Sequence, residues 1–510
     1  MSERQRWTLI TVCTATFMLL LDITVVNVAL PSIRRSLHGS FTDLQWVVDA
    51  YSLTLASLLL TAGSLADILG RRRVFVVGLA VFSAASFLCG LATTPAFLNF
   101  ARALQGVGGA IMFATSLSLL AQEFEGRDRG TAFGIWGATI GGAVAIGPLV
   151  GGALTSAFGW EWIFFVNVPI GIAAIYATMR FVHESRDPTG RRIDLIGLVT
   201  FSGSLFCLVF ALIRGNAEGW SSTLIVTLLV ASVVLMAAFL IAEWVQKQPM
   251  FDLTLFRKPA FVGVSVAAFA LSASMFAMFL YLTLYLQGVL GYGPFEAGLR
   301  FLPLSLVSFF AAPIAGRLGA RIPWRTLLGF GLVLVGIALI LMGGLSTSST
   351  WTHLLPGFLI AGAGVGMANP SIATIAVGVV PPARSGMASG INNTFRQAGI
   401  ATGIAAWGAI FQHQVQSKVI DALASTPVSG QSHSIAHAVS SGSASQAIAS
   451  APPGARGVVA HAARSAFVGG LNDILMLAGL VAFAGAVAAF ALVRQRDFVA
   501  QQAQPEPAAA

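Results

Sequence analysis

Of the 20 carboxylate side chains in this 510-residue chain, only Asp22 and Asp49 fall well inside long apolar runs. An ionised carboxylate in a hydrocarbon-like setting is costly unless it is paired or meets water, so each is a candidate for chemistry. Arg102 stands inside another apolar run, and Asn392, Asn393, Arg396 and Gln397 share one helix face at i, i+1, i+4 and i+5. The chemistry open to such groups is proton carriage. Pairing with arginine favours the ionised carboxylate, a dry site without it favours the neutral acid, and alternation between the two takes up and releases a proton. A static ion pair is the competing reading for Asp22 and Arg102, and cation binding is a second role open to Asp49.

Other chemistry lacks its residues. No GxxxxGK[ST] run occurs, so nothing points to direct ATP hydrolysis. Cys13, Cys89 and Cys207 all lie in apolar runs, without CxxC spacing, and His433, His437 and His461 have no ligand spacing. No enzyme activity, cofactor or metal is expected.

The elements that must position these residues are membrane helices. A crossing helix takes about 20 mostly apolar residues, and fourteen such stretches account for most of the chain. They are expected near 8–30, 44–66, 74–94, 96–121, 130–157, 162–182, 195–213, 220–243, 260–290, 296–316, 323–345, 352–378, 385–412 and 472–494. At about 1.5 Å per residue, Asp22, Arg102 and Asp49 lie roughly 12, 9 and 8 Å from their outer helix ends, in one layer. Hydrophobic residues make up 56% and charged residues 10%, against about 25% charged in a soluble chain. The net charge of +9 is scattered at helix ends, which signals topology and excludes a nucleic-acid partner. With the N-terminus inside, 20 of the 29 Lys and Arg fall on the inner side and 7 outside, setting both termini in the cytoplasm. The apolar run from Trp7 to Leu30 is too long for a signal-peptide core and reads as an uncleaved first helix. The outer segment 413–470 is rich in Ala, Ser, Gly and His, and Ser425–Pro453 is expected to be a flexible loop.

An internal repeat organises the helices. At an offset of 256, Gly106, Gly108, Gly130, Ala132 and Gly134 match Gly362, Gly364, Gly386, Ala388 and Gly390. Gly63-Ser-Leu65 returns as Gly316-Arg-Leu318, with Ala320 where Asp67 would be. Duplication puts a substrate site at the repeat interface near the midplane. The expected division is 1–192 for a six-helix half, 193–258 for an inserted pair, 259–497 for the second half and 498–510 for a polar tail.

Three local patterns add to this. In the turn Gly63-Ser-Leu-Ala-Asp67-Ile-Leu-Gly70-Arg71-Arg72-Arg73, the glycines allow close packing and a tight bend, and Asp67 with the arginines could pair across the inner ends of the two halves. In the fifth helix, Gly137, Gly141, Ala145, Gly147, Pro148, Gly151 and Gly152 allow close helix approach and a kink. Asn27, Asn369, Asn392, Asn393, Arg396, Gln397 and Tyr281 are candidates to line a substrate cavity, the last in a helix rich in Phe and Met suited to varied apolar ligands.

These residues carry a family resemblance across essentially the whole chain. Leu21-Asp-Ile-Thr-Val-Val-Asn-Val-Ala-Leu-Pro31, the turn at 63–73, Arg102-Ala-Leu-Gln-Gly106-Val-Gly-Gly, Gly147-Pro148-Leu-Val-Gly151-Gly152 and Tyr281-Leu-Thr-Leu-Tyr-Leu-Gln-Gly-Val-Leu-Gly291-Tyr follow in order. Together they resemble the fourteen-helix drug:proton antiporters of the major facilitator superfamily. The resemblance implies proton coupling at Asp22 and Arg102, a cytoplasmic latch at 63–73, and a seal in the fifth helix that favours exchange over leak. One departure is Trp160-Glu161-Trp162, where that group commonly has arginine in the middle.

The expectation is an all-α secondary transporter in the bacterial cytoplasmic membrane, exporting amphipathic drugs, antibiotics or dyes in exchange for protons. Its partners are a small molecule, protons and lipid; it is expected as a monomer, with an accessory periplasmic protein left open. One proton moves with about 2.3 kcal/mol per 100 mV, enough for a roughly forty- to fifty-fold gradient at about 1.4 kcal/mol per tenfold. The rival readings are a dedicated exporter of one metabolite (a natural product, lipid precursor or siderophore), proton-coupled uptake, and a non-transporting membrane receptor or assembly factor.

Overall fold

The computed structural model describes residues 1–124, 126–185, 194–246, 253–319, 321–380, 385–440 and 444–498. Apolar segments that cannot bond their backbone to water satisfy it internally, and helices do so within one segment. In chain order the long helices are α1 (Glu3–Leu37), α2 (Phe41–Leu69), α3 (Arg71–Gly90), α4 (Pro95–Glu123), α5 (Gly126–Phe158), α6 (Trp162–Phe181, broken at Val166), α7 (Leu195–Glu218) and α8 (Thr223–Val245). They continue as α9 (Pro259–Val289), α10 (Pro294–Leu318), α11 (Trp324–Met342), α12 (Leu355–Gly378), α13 (Ser385–Leu423) and α14 (Arg456–Leu492). No strand occurs among the described residues. Eleven of these helices are long and apolar enough to cross a membrane by length and composition; α2, α5 and α13 run beside them.

Start signals are local. Ser2 with Gln5 and Ser40 with Asp43 form capping boxes on α1 and α2, and Thr94 caps α4 ahead of Pro95. Helix α9 is α-helical except for two π turns, Ser272–Phe276 and Tyr285–Val289.

Two sets of helices repeat one packing scheme. Helices α2 and α3 pack on α4, and α1 on α5; α10 and α11 pack on α12, and α9 on α13. The glycines of the sequence repeat sit at equivalent crossings. Gly106 abuts α2 at Tyr51 and Thr54 as Gly362 abuts α10 at Leu304, while Gly108 abuts α3 at Phe82 as Gly364 abuts α11 at Gly331. Gly147 meets Thr24 of α1 as Gly403, 256 residues on, meets Ala273 of α9. A side chain at any of these crossings would strike its neighbour, so the offset records a packing constraint.

Helix α7 lies over the seam between the sets. Its Leu205, Val209 and Ile213 cluster with Leu53 and Ala56 of α2 and Ala401 and Ala405 of α13. Among the described residues, the hydrogen bonds and ring contacts that join α1–α6 to α9–α14 gather at the end where α1 turns into α2. Gln287 donates to the Val28 carbonyl (2.7 Å), Gln45 to the Ile404 carbonyl (3.2 Å) and the Phe295 amide to Ser156 (3.1 Å), while Phe41 stacks on Phe411.

The segment expected as a flexible outer loop is mostly helical. Helix α13 runs on to Leu423 and α14 starts at Arg456, with short helices Ser432–Ser440 and Ala444–Ser450 between them. Val428, Ile435, Ala436, Val439 and Ala447 are buried there. Alanine, abundant in the segment, is the best helix former and buries its methyl without side-chain entropy cost, so a composition read as loop builds a small cap.

Candidate functional site

Asp22 sits on α1 with 2% of its surface exposed, and Arg102 on α4 with 1%. Arg102 Nη1 donates to Asp22 Oδ2 at 2.6 Å and to Gln105 Oε1 at 2.6 Å, and its Nε donates to the Val47 carbonyl of α2 at 3.0 Å. Gln105, one turn along α4, donates to Asp22 Oδ1 at 2.8 Å and to Ser86 Oγ of α3 at 2.7 Å. Asn167 of α6 adds longer bonds to Asp22 and Ser86, both 3.4 Å. The guanidinium lies 4.3 Å from the centre of the Tyr51 ring. Four helices are thus tied to α1 through one carboxylate whose oxygens are both satisfied. Such a buried pair needs further hydrogen bonds to its donors and acceptors, which Gln105, Asn167 and the Val47 carbonyl supply.

The sequence named Asp22 and Arg102 but assigned no role to Gln105, Ser86 or Asn167. The available signal was Gln105 three residues after Arg102, on the same helix face.

Asp49 has a different setting at the same level. It is fully buried on α2, and neither of its oxygens has a hydrogen-bond partner among the described residues. Val47 and Tyr51, which meet Arg102, flank it in sequence; residues two apart on a helix face away from each other, so Asp49 is directed away from Arg102. One turn before it, Gln45 reaches across the seam to Ile404, whose carbonyl also accepts from Tyr281 at 2.6 Å. The two carboxylates divide as one paired and one unpaired, the second on the seam.

The turn at 63–73 ends at the N-terminus of α3, which meets a carboxylate of its own half. Gly70 takes φ 110° between α2 and α3, where a Cβ would come within 2.6 Å of Glu184 Oε1. Glu184 accepts from the amides of Arg72 (3.1 Å) and Arg73 (3.3 Å), and its carboxylate lies 3.5 Å from Arg73 Nε and 3.9 Å from Arg72 Nε. The Arg71 amide donates to the Ser185 carbonyl at 3.0 Å. An anion at the N-terminus of α3 meets the unpaired amides and the helix dipole together. In this structure Arg72 and Arg73 pair with Glu184, after α6, within the first half. Gly63 lies near Ala114 of α4, and the Asp67 side chain lies outside the described ones.

The glycines of α5 sit where the expectation needs small residues. Gly147 and Gly151 press on Thr24 and Val25 of α1, either side of the turn after Asp22. Gly152 meets Pro294 and Phe295 of α10, and Gly298 of α10 meets the Pro148 carbonyl. The expected cavity residues separate. Asn27 donates to Ile23 of its own helix, Asn392 reaches the Val264 carbonyl of α9 at 3.5 Å, and Tyr281 is locked in the seam. Asn369, Asn393 and Arg396 stay partly exposed near mid-helix, and Gln397 keeps an unpartnered oxygen. Among the described residues no group of three or more His, Cys, Asp or Glu could hold a metal.

The chain is 37% identical over 415 residues to the multidrug resistance protein Stp of Mycobacterium tuberculosis, covering 80% of this chain and 76% of that one. It is 32% identical over 507 residues to a tetracenomycin C resistance and export protein of Streptomyces glaucescens, covering 98% and 94%. A bacterial homolog of the human lysosomal transporter Spinster, solved inward-facing and unoccupied, superposes with a TM-score of 0.61 over 98% of this chain and all of that one; at 17% identity it speaks for the fold alone. The sequence model of the Major Facilitator Superfamily matches residues 12–404. The chain therefore belongs to the Major Facilitator Superfamily and is a membrane transporter, not an enzyme.

Proposed function

We propose that this transporter exports amphipathic small molecules in exchange for protons, crossing the bacterial cytoplasmic membrane fourteen times with both termini inside. The observation that carries the reading is Asp49, a fully buried carboxylate without a partner at the end where the two halves meet. As an anion it would oppose that closure; as a neutral acid it tolerates it. A proton taken from outside lets the outer end close, and its loss inward favours reopening with substrate aboard. Asp22 and Arg102, to which the family resemblance assigns proton coupling beside Asp49, also tie the first half together as a buried pair, and the α5 glycines form the sliding contact against α1 and α10. The turn at 63–73 clamps α3 to α6 through Glu184, so that the inner ends of the first half move together.

A second reading, a dedicated exporter of one native metabolite, gains support from the near full-length likeness to a tetracenomycin C resistance and export protein. A panel of toxic compounds, tested on cells with and without this protein and with a protonophore, separates the readings. Resistance to several unrelated compounds that collapses with the protonophore supports the broad exporter. Resistance to one chemical class supports the dedicated one, and resistance unaffected by the protonophore contradicts both.

A further inference from the structure

Arg396 lies well inside α13, largely covered by protein, with neither an ion pair nor a hydrogen bond among the described residues. It stands eleven residues into α13, about 16 Å from Ser385, toward the end of the bundle away from the seam contacts. An arginine at that depth without a counter-charge is costly and marks a substrate path. Its surroundings are built for more than water. The guanidinium lies 6.0 Å from the centre of the partly exposed Phe276 ring on α9. Three residues on, along the same face of α13, Gly399 abuts Ser272, and Ser272 and Phe276 begin and end a π turn of α9. Single π turns gather at functional sites because they widen a helix and redirect its side chains. Ser272 Oγ and the neighbouring Gln397 Oε1 are both buried and both lack a hydrogen-bond partner.

We infer that the α9–α13 face around Arg396 is the recognition point for an acidic aromatic substrate, its carboxylate on the guanidinium, its ring on Phe276 and its hydroxyl or amide donors on Gln397 and Ser272. The two inward carboxylates cannot compete for the role of counter-ion: Asp22 is held by Arg102, and Asp49 is buried on the seam. A planar guanidinium pairs with a carboxylate through two parallel bonds, which a neutral ester cannot match and an ammonium opposes. The inference rests on the exporter reading for the substrate's route but not for its chemistry.

The test is equilibrium dialysis of 6-hydroxy-2-naphthoic acid, its methyl ester and the corresponding naphthylmethylamine against the full-length protein in lipid nanodiscs, with empty nanodiscs subtracted. The wild-type protein is expected to bind the acid at least tenfold more tightly than the ester or the amine. Arg396→Gln should bring the acid down to the level of the ester while changing the ester less than twofold, and Arg396→Lys should keep part of the preference. Should the Gln variant fail to fold, the wild-type ratio and the Lys variant decide. Equal binding of acid, ester and amine by the wild-type protein, or an equal loss of all three in Arg396→Gln, overturns the inference. Because the readout needs no gradient, it fails independently of the exporter reading: the acid can bind through Arg396 in a protein that moves no proton, and proton-driven export of other compounds can stand without it.

Discussion

Asp22 and Asp49 start from the same residue type, at nearly the same depth, and end in opposite electrostatic settings. Asp22 accepts from Arg102, Gln105 and Asn167, so deleting a partner leaves a buried charge exposed to a low dielectric. Arg102→Met should therefore lower stability by about 3–5 kcal/mol, read as a large fall in melting temperature of the purified protein. A change under about 1 kcal/mol would show that the pair contributes little. Asp49→Asn removes no bond seen among the described residues and mimics the neutral acid, so it should leave the melting temperature nearly unchanged while cutting proton-driven export at least tenfold for cationic and neutral compounds alike. Loss confined to cations would return Asp49 to the substrate-binding role that its sequence position also allowed. Sequence gave both carboxylates away because charges are rare in apolar runs. It could not tell paired from unpaired, since Arg102 is directed by Val47 and Tyr51, contacts 55 and 51 residues distant in the chain.

At the scale of elements, packing is carried by small residues at crossings. Gly151 faces the α1 backbone at Val25, and Gly147 the Thr24 side chain. A valine at 151 has no room without moving α1, and with it the turn that presents Asp22. Gly151→Val should cut export at least tenfold with the protein still inserted, checked by transport in vesicles matched for protein content; normal transport would mean the α1–α5 crossing yields freely. At the turn after α2, Glu184→Ala leaves the Arg72 and Arg73 amides without their acceptor and should cost about 1–2 kcal/mol. These elements also mark where reading the chain succeeded. Apolar runs and glycine offsets are local or periodic signals, and they marked the all-helical fold and the matching glycine crossings. Glu184 was missed because its partners lie more than 100 residues away. The short helices Ser432–Ser440 and Ala444–Ser450 were missed because alanine-rich sequence has no hydrophobic period strong enough to distinguish helix from loop.

On the scale of the whole molecule, few hydrogen bonds among the described residues join the halves at the α1–α2 end: Gln287 to Val28, Gln45 to Ile404, Phe295 to Ser156. Such a seam is suited to opening, since each bond is a modest net term of about 0.5–1.5 kcal/mol, and in the proposed cycle Asp49 opposes closure as an anion and permits it as a neutral acid. The most direct measurement is proton movement in proteoliposomes containing the purified protein and a trapped pH dye, challenged with a compound to which cells lacking the protein are hypersensitive. The account predicts a substrate-triggered proton flux opposite to the compound in the wild-type protein and none in Asp49→Asn. Transport of the compound with no proton movement, or an equal flux in Asp49→Asn, would contradict it.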